Sequence, residues 1–65
     1  MNWKQFFELM IIDERAAQAK CAKALEVADN PEVRAVIERL RDEEAFHADF
    51  LEESWSRLAG ALDNP

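Results

Sequence analysis

Cysteine, glycine, proline and tyrosine are scarce in this 65-residue chain, which has one cysteine, one glycine, two prolines and no tyrosine. Because Cys21 is the only cysteine, an internal disulfide is excluded, and an unpaired thiol fits a reducing compartment. The shortage of glycine and proline, with 49% hydrophobic residues, excludes a disordered chain. A chain of this length supports one domain at most, with a small core that usually needs a metal or a partner chain.

Basic residues are also few, since eight Lys and Arg face fourteen Asp and Glu and give a formal net charge of −6. This balance argues against a nucleic-acid partner, which requires a basic face, and fits either a protein that attracts cations or an acidic solvated surface. The longest apolar run, Leu9 to Ile12, is far shorter than the roughly 20 residues of a membrane span. No signal-peptide pattern begins the sequence, so we expect no membrane partner and a cytoplasmic location.

The remaining composition is strongly helical, with eleven alanines and nine glutamates. The one interior break is Asn30-Pro31, a pair suited to the N-cap and the first turn of a helix. Asn2 can cap a first helix, and Gly60 can end the second. We therefore predict an all-α fold in which residues 1–65 form one antiparallel hairpin, with helices over about 3–28 and 31–59.

Each predicted helix carries an apolar stripe in alternating steps of three and four residues. The stripe on the first helix is Trp3, Phe7, Met10, Glu14, Ala17, Cys21, Ala24 and Ala28. The stripe on the second is Val33, Ile37, Leu40, Glu44, His47, Leu51, Ser54 and Leu58. One hairpin cannot cover both stripes, whereas two hairpins can cover them as a four-helix bundle. We therefore expect an obligate homodimer or a larger assembly.

Three ionisable residues, Glu14, Glu44 and His47, interrupt these apolar stripes. Burying a carboxylate there costs several kcal/mol unless a partner neutralises it. At about 1.5 Å of rise per residue, all three lie roughly 23 to 26 Å from the turn. Glu44 and His47 are also three residues apart and therefore share one face of their helix. The sequence thus predicts that two carboxylates and one imidazole converge at one height.

A twofold copy of the hairpin provides four Glu and two His, which is the ligand set of carboxylate-bridged di-metal bundles. Two divalent cations balance the four carboxylates, and such mixed ligands suit iron, manganese or zinc. Two other interpretations stay open from the residues alone. His47 can be a hydrogen-bonded interface histidine, and the carboxylates are solvated if the stripes are displaced by one position.

The segments around these residues resemble a known family. They read DERAA at 13–17, NPEVR at 30–34 and RDEEAFH at 41–47. These segments are similar to half-bundle ferritin-like proteins, most of all to the encapsulated ferritins and more distantly to rubrerythrin. The resemblance covers about residues 8–58 and implies a ferritin-like four-helix bundle formed by two hairpins.

The resemblance further implies that Glu14, Glu44 and His47 bind two irons at a homodimer interface. It implies a ferroxidase that oxidises Fe(II) to Fe(III) with dioxygen, ring-like oligomers, and an encapsulin shell as partner and compartment. No shell-targeting segment follows Gly60, so we expect that targeting is absent or that the chain is truncated. Where the family often has a tyrosine, this chain has Cys21, expected to pack as a small hydrophobe or to act as a redox-active group near the metal.

Two alternatives to a ferroxidase remain. The first is a non-catalytic helical-hairpin module whose buried polar residues set the register of an assembly. The second keeps the site but changes the chemistry, to manganese or to peroxide turnover.

Overall fold

The computed structural model describes residues 1–62, which form two helices packed against each other and joined by a short turn. The first helix, α1, spans Trp3–Val27, and the second, α2, spans Pro31–Leu62. The predicted all-α hairpin is confirmed, and the part of the chain described contains no strand. Residues 63–65, which the prediction placed in the same domain, lie outside the described residues.

The predicted end of the second helix is wrong. Gly60 does not stop α2, which continues as regular helix to Leu62. No atom would contact a β-carbon added at Gly60, so packing does not require a glycine at this position. A glycine ends a helix only where it turns into the left-handed conformation, and this one keeps the helical backbone of its neighbours.

Side-chain hydrogen bonds cap three helix termini: the start of α1, the end of α1 and the start of α2. The side chain of Asn2 accepts a hydrogen bond from the backbone N–H of Gln5 at 3.0 Å. Asn30 accepts from the N–H groups of Glu32 and Val33 at 2.9 and 3.0 Å. At the end of α1, Arg34 donates from Nη1 to the carbonyls of Leu25 and Ala28, both at 2.8 Å. These bonds satisfy backbone groups that a helix terminus otherwise leaves without partners.

The buried centre of the contact between the helices is built from small side chains, and toward the open end Phe7 of α1 stacks on Trp55 of α2 with ring centroids 5.2 Å apart. Ala48 has no exposed surface, and Cys21 and Ser54 are also buried. None of the large side chains in residues 1–62 is fully buried. Small residues at the centre allow the two backbones to approach closely, but they bury little apolar area.

The contact face of α2 coincides only in part with the predicted stripe, of which Ser54 is buried and Ile37, Glu44 and Leu51 are half-buried. Val33, Leu40 and Leu58, which the stripe included, are 48%, 44% and 38% exposed. Ala48, which it omitted, is the most buried residue. The apolar surface of α2 is wider than one face, and the hairpin uses the alanine side of it because small residues permit the closest packing. The predicted stripe therefore includes one part of the contact face and the exposed edge of α2 beside it.

Much apolar surface stays uncovered in the single chain. The large hydrophobic residues that are more than a third exposed are Met1, Trp3, Phe6, Leu9, Ile12, Val27, Val33, Val36, Leu40, Phe46, Phe50, Leu58 and Leu62. Neither helix, as far as Leu62, has the length and apolar character needed to cross a membrane.

Candidate functional site

The structure brings together two of the three predicted site residues, one from each helix. Oε1 of Glu14 on α1 lies 3.3 Å from Nδ1 of His47 on α2. The Glu14 side chain is 23% exposed, whereas that of His47 is 57% exposed. This contact therefore lies at an edge of the hairpin, with the carboxylate largely covered and the imidazole open to the surroundings.

The distance between these two atoms fits more than one chemical arrangement. A hydrogen bond between the imidazole and the carboxylate accounts for it directly. Two ligand atoms that are each about 2.1 Å from one cation and about 100° apart are also about 3.2 Å from each other. The Glu14–His47 pair thus has the donor types and the spacing of two adjacent ligands of a transition-metal ion.

Glu44, the third predicted residue, is directed toward a different partner. Its Oε1 accepts a hydrogen bond from the Cys21 thiol, with Sγ 3.3 Å away. Side chains tilt toward the N-terminus of their own helix, so those of α2 lean toward the turn and those of α1 lean away from it. Glu44 therefore meets Cys21, and His47 meets Glu14 one layer farther from the turn.

The Cys21 thiol is held in its neutral form. Burial raises the pKa of this thiol, the hydrogen bond to Glu44 and the charge of Glu44 raise it further, and Arg41 opposes the shift. A protonated thiol can donate to the carboxylate, which agrees with the observed bond. Sequence reasoning missed this pair, although Cys21 lies one heptad after Glu14 on the same stripe.

One hairpin alone does not assemble a complete metal site. Within residues 1–62, no group of three or more His, Cys, Asp or Glu side chains is placed to hold a metal ion. The chain instead presents two separate pairs, Glu14–His47 and Cys21–Glu44. A transition-metal ion in a protein takes about four ligands or more, so neither pair by itself would be a complete metal site.

The acidic residues beside the site are engaged within their own helix. An open depression on α2 is lined by His47, Phe46 and three charged side chains, Arg39, Asp42 and Glu43. Glu43 pairs with Arg39 at 3.1 Å, and Asp42 pairs with Arg41 at 3.2 Å. These exposed pairs are typical of a solvated helix surface.

An ion-pair cluster joins the helices near the same height. Nη2 of Arg15 lies 3.0 Å from Oδ1 of Asp49 and 2.9 Å from Oε1 of Glu52. Its Nη1 donates to Oε1 of Gln18 at 3.3 Å. The hydrogen bond to Asp49 is the main cause that raises the pKa of the Arg15 guanidinium, which therefore stays charged.

Comparison of the chain with protein-family models, with curated proteins and with solved structures finds no match.

Proposed function

We propose that this chain is a di-iron, ferroxidase-like protein in which two hairpins form a four-helix bundle and bind iron at their interface. The observation that carries this proposal is the 3.3 Å contact between Glu14 Oε1 and His47 Nδ1 across the hairpin. It gives one carboxylate and one imidazole the spacing of adjacent metal ligands. The resemblance of segments 13–17, 30–34 and 41–47 to encapsulated ferritins points to the same residues.

The surface around His47 supports a second hairpin as the source of the missing ligands. Val33 and Leu40 precede His47 by two heptads and one heptad, so all three share one edge of α2. Both apolar side chains are almost half exposed in the single chain. A second copy that covers this edge would bring its own Glu14, Glu44 and His47 close to those of the first.

The charge of such a site favours divalent cations. Two copies would place four carboxylates in a low-dielectric interface, where like charges oppose association. Two divalent cations neutralise them, and the oxygen and nitrogen donors suit Fe(II), with Mn(II) or Zn(II) as further occupants. Bound as substrate, two Fe(II) ions each supply one electron to dioxygen.

The residues of the chain would have distinct tasks. Glu14 and His47 offer one oxygen and one nitrogen from opposite helices, already at ligand spacing. The Cys21 thiol engages Oε1 of Glu44, which leaves Oε2 of that carboxylate as the oxygen for a cation. The largely covered position of Glu14 limits the access of water to its carboxylate.

The test is the rate of Fe(II) oxidation by dioxygen, measured for the full chain and for single variants. His47→Ala and Glu14→Ala should lose most of the rate, because each removes one ligand per chain. Glu53→Ala is the matched control, since it removes an exposed carboxylate of α2 outside the predicted ligand set. The proposal fails if the wild type does not accelerate oxidation, or if the ligand variants and the control oxidise Fe(II) equally fast.

A second candidate function is a non-catalytic assembly module. It is favoured by the absence of a three-ligand cluster in residues 1–62 and by the fit of the Glu14–His47 distance to a hydrogen bond. In that case the chain associates equally well with and without Fe(II), and Glu14→Gln weakens association directly. A ferroxidase instead associates more tightly when Fe(II) is present.

A further inference from the structure

Two contacts between the helices lie on either side of Ala48. On one side Glu14 meets His47, and on the other Arg15 meets Asp49. Successive residues of a helix point about 100° apart, so Glu14 and Arg15 leave α1 in different directions. His47 and Asp49 are about 200° apart and leave α2 on opposite sides. Ala48, which lies between His47 and Asp49 in sequence, is fully buried.

Few side chains are fully buried in the contact between the helices. Its buried residues are Cys21, Ala48 and Ser54, and none of the large side chains in residues 1–62 is fully buried. The aromatic stack across the contact, Phe7 on Trp55 with ring centroids 5.2 Å apart, lies one heptad farther from the turn than Glu14. A slide of one residue moves the facing atoms by about 1.5 Å, whereas metal–ligand distances tolerate only about 0.2 Å. A site made from both helices therefore depends on contacts at its own height that fix the register.

The Arg15 guanidinium has the geometry to make such contacts. Its Nη2 contacts Asp49 at 3.0 Å and Glu52 at 2.9 Å, and these two acids are one helical turn apart on α2. A single group can reach both only when it lies between them along the helix axis. A slide in either direction lengthens one of the two contacts.

We propose that Arg15 is a positioning residue that fixes the register of α1 against α2 and so holds Glu14 at ligand distance from His47. This inference rests on the proposed metal site. Arg15 touches neither metal nor substrate and acts through Asp49 and Glu52. Because its ion pairs are partly exposed, they add little to overall stability, and their effect is on the placement of Glu14.

The experiment measures Co(II) binding to the full chain from its visible absorption, with helicity and association state recorded in parallel. Arg15→Gln removes the charge and keeps most of the side-chain length. It should weaken Co(II) binding about tenfold, the lower end of the loss seen when groups that orient metal ligands are removed. Helicity and association should stay unchanged. Lys4→Gln is the control, since it removes a cation paired with Glu8 within α1 and should bind Co(II) like the wild type.

A second variant and a second readout complete the test. Arg15→Lys keeps the charge but supplies a compact ammonium instead of the guanidinium, so we expect a loss of a few-fold. His47 is the only histidine, so its ring resonance in metal-free protein reports the Glu14 contact without overlap. Arg15→Gln should shift that resonance in the same direction as Glu14→Gln does, and Lys4→Gln should not.

The outcomes separate the two proposals. Wild-type Co(II) affinity in Arg15→Gln overturns the positioning role, and so does a loss of helicity, which would make Arg15 a residue of the fold as a whole. If the wild type binds no Co(II), the proposed function fails. In that case a shifted His47 resonance in Arg15→Gln still supports the role of Arg15 in fixing the register of the helices, and an unshifted resonance overturns that role.

Discussion

Cys21 and Glu44 are joined across the hairpin by a hydrogen bond, with the thiol sulfur 3.3 Å from Oε1 of the carboxylate. The bond places Glu44 in a different layer from the Glu14–His47 contact, although the three predicted site residues lie at similar distances from the turn. It also gives the only cysteine of the chain a defined partner.

Removing the thiol should destabilise the hairpin. Cys21→Ala deletes a buried sulfur and leaves the half-buried Glu44 without its donor, so we expect a loss of about 1–2 kcal/mol in the free energy of unfolding. Cys21→Ser is the control, because its hydroxyl can still donate and should lose less. Chemical denaturation followed by circular dichroism measures both variants. Equal losses would show that the hydrogen bond contributes nothing.

The reactivity of Cys21 should depend on pH in a defined way. Burial and the neighbouring carboxylate raise the pKa of the thiol, so less thiolate is present at a given pH than in a free cysteine, whose pKa is about 8.5. The rate of alkylation by iodoacetamide should therefore rise at higher pH in the folded protein than in the same chain unfolded in guanidinium. A folded-state midpoint at or below the unfolded one contradicts the account.

The same shift predicts how stability changes with pH. A group whose pKa is raised by folding contributes stability that is fully present below its unfolded pKa and is lost as the pH rises through the folded value. We expect this contribution of Cys21 to be constant up to about pH 8 and to decline above it. Denaturation midpoints of the wild type and Cys21→Ala, compared between pH 7 and pH 10, should converge as the pH increases. Parallel curves would contradict the assignment.

Arg34 should be important for the turn. Its Nη1 donates to two carbonyls at the end of α1, so Arg34→Met should cost about 1–2 kcal/mol in the free energy of unfolding by leaving them without that donor. Arg39→Met is the matched control, since it breaks only an exposed pair with Glu43 and should cost less than about 0.5 kcal/mol. Chemical denaturation of both variants under the same conditions compares their free energies of unfolding. Similar costs would rule out a capping role for Arg34.

The edge of α2 next to His47 should control association. Leu40→Glu places a charge in the apolar surface that we propose a second hairpin covers, so it should shift the sedimentation profile from dimer toward the single chain. Ala35→Glu adds the same charge at another exposed position of α2, away from that edge, and should leave the profile unchanged. If Leu40→Glu sediments like the wild type, the interface lies elsewhere.

The helices could be predicted from the sequence because their signals are local. Asn30 before Pro31 is an N-cap signal that predicts the start of α2, and Asn2 predicts the start of α1 in the same way. Gly60 misled the prediction, because glycine stops a helix only when the following chain turns away. Here α2 instead runs on to Leu62.

The candidate site could be predicted only in part. Counting residues from the turn gives the height of each α-carbon, and this was sufficient to pair Glu14 with His47. Counting residues does not give the direction in which the side chains tilt, and this tilt brings the Glu44 carboxylate to Cys21. The Arg15 cluster was not foreseen, because which edge of α2 faces α1 depends on the close packing at Ala48.

The most direct test of the proposed metal site is the iron content of the associated species. The full chain is loaded with Fe(II) without oxygen and separated by size, and the iron and protein in each fraction are measured. We predict two irons for every two chains in the dimer or in larger assemblies, a marked loss of that iron in His47→Ala, and a shift toward single chains when the metal is removed. A dimer that stays free of iron after exposure to Fe(II), or iron bound equally well by His47→Ala, would contradict the account.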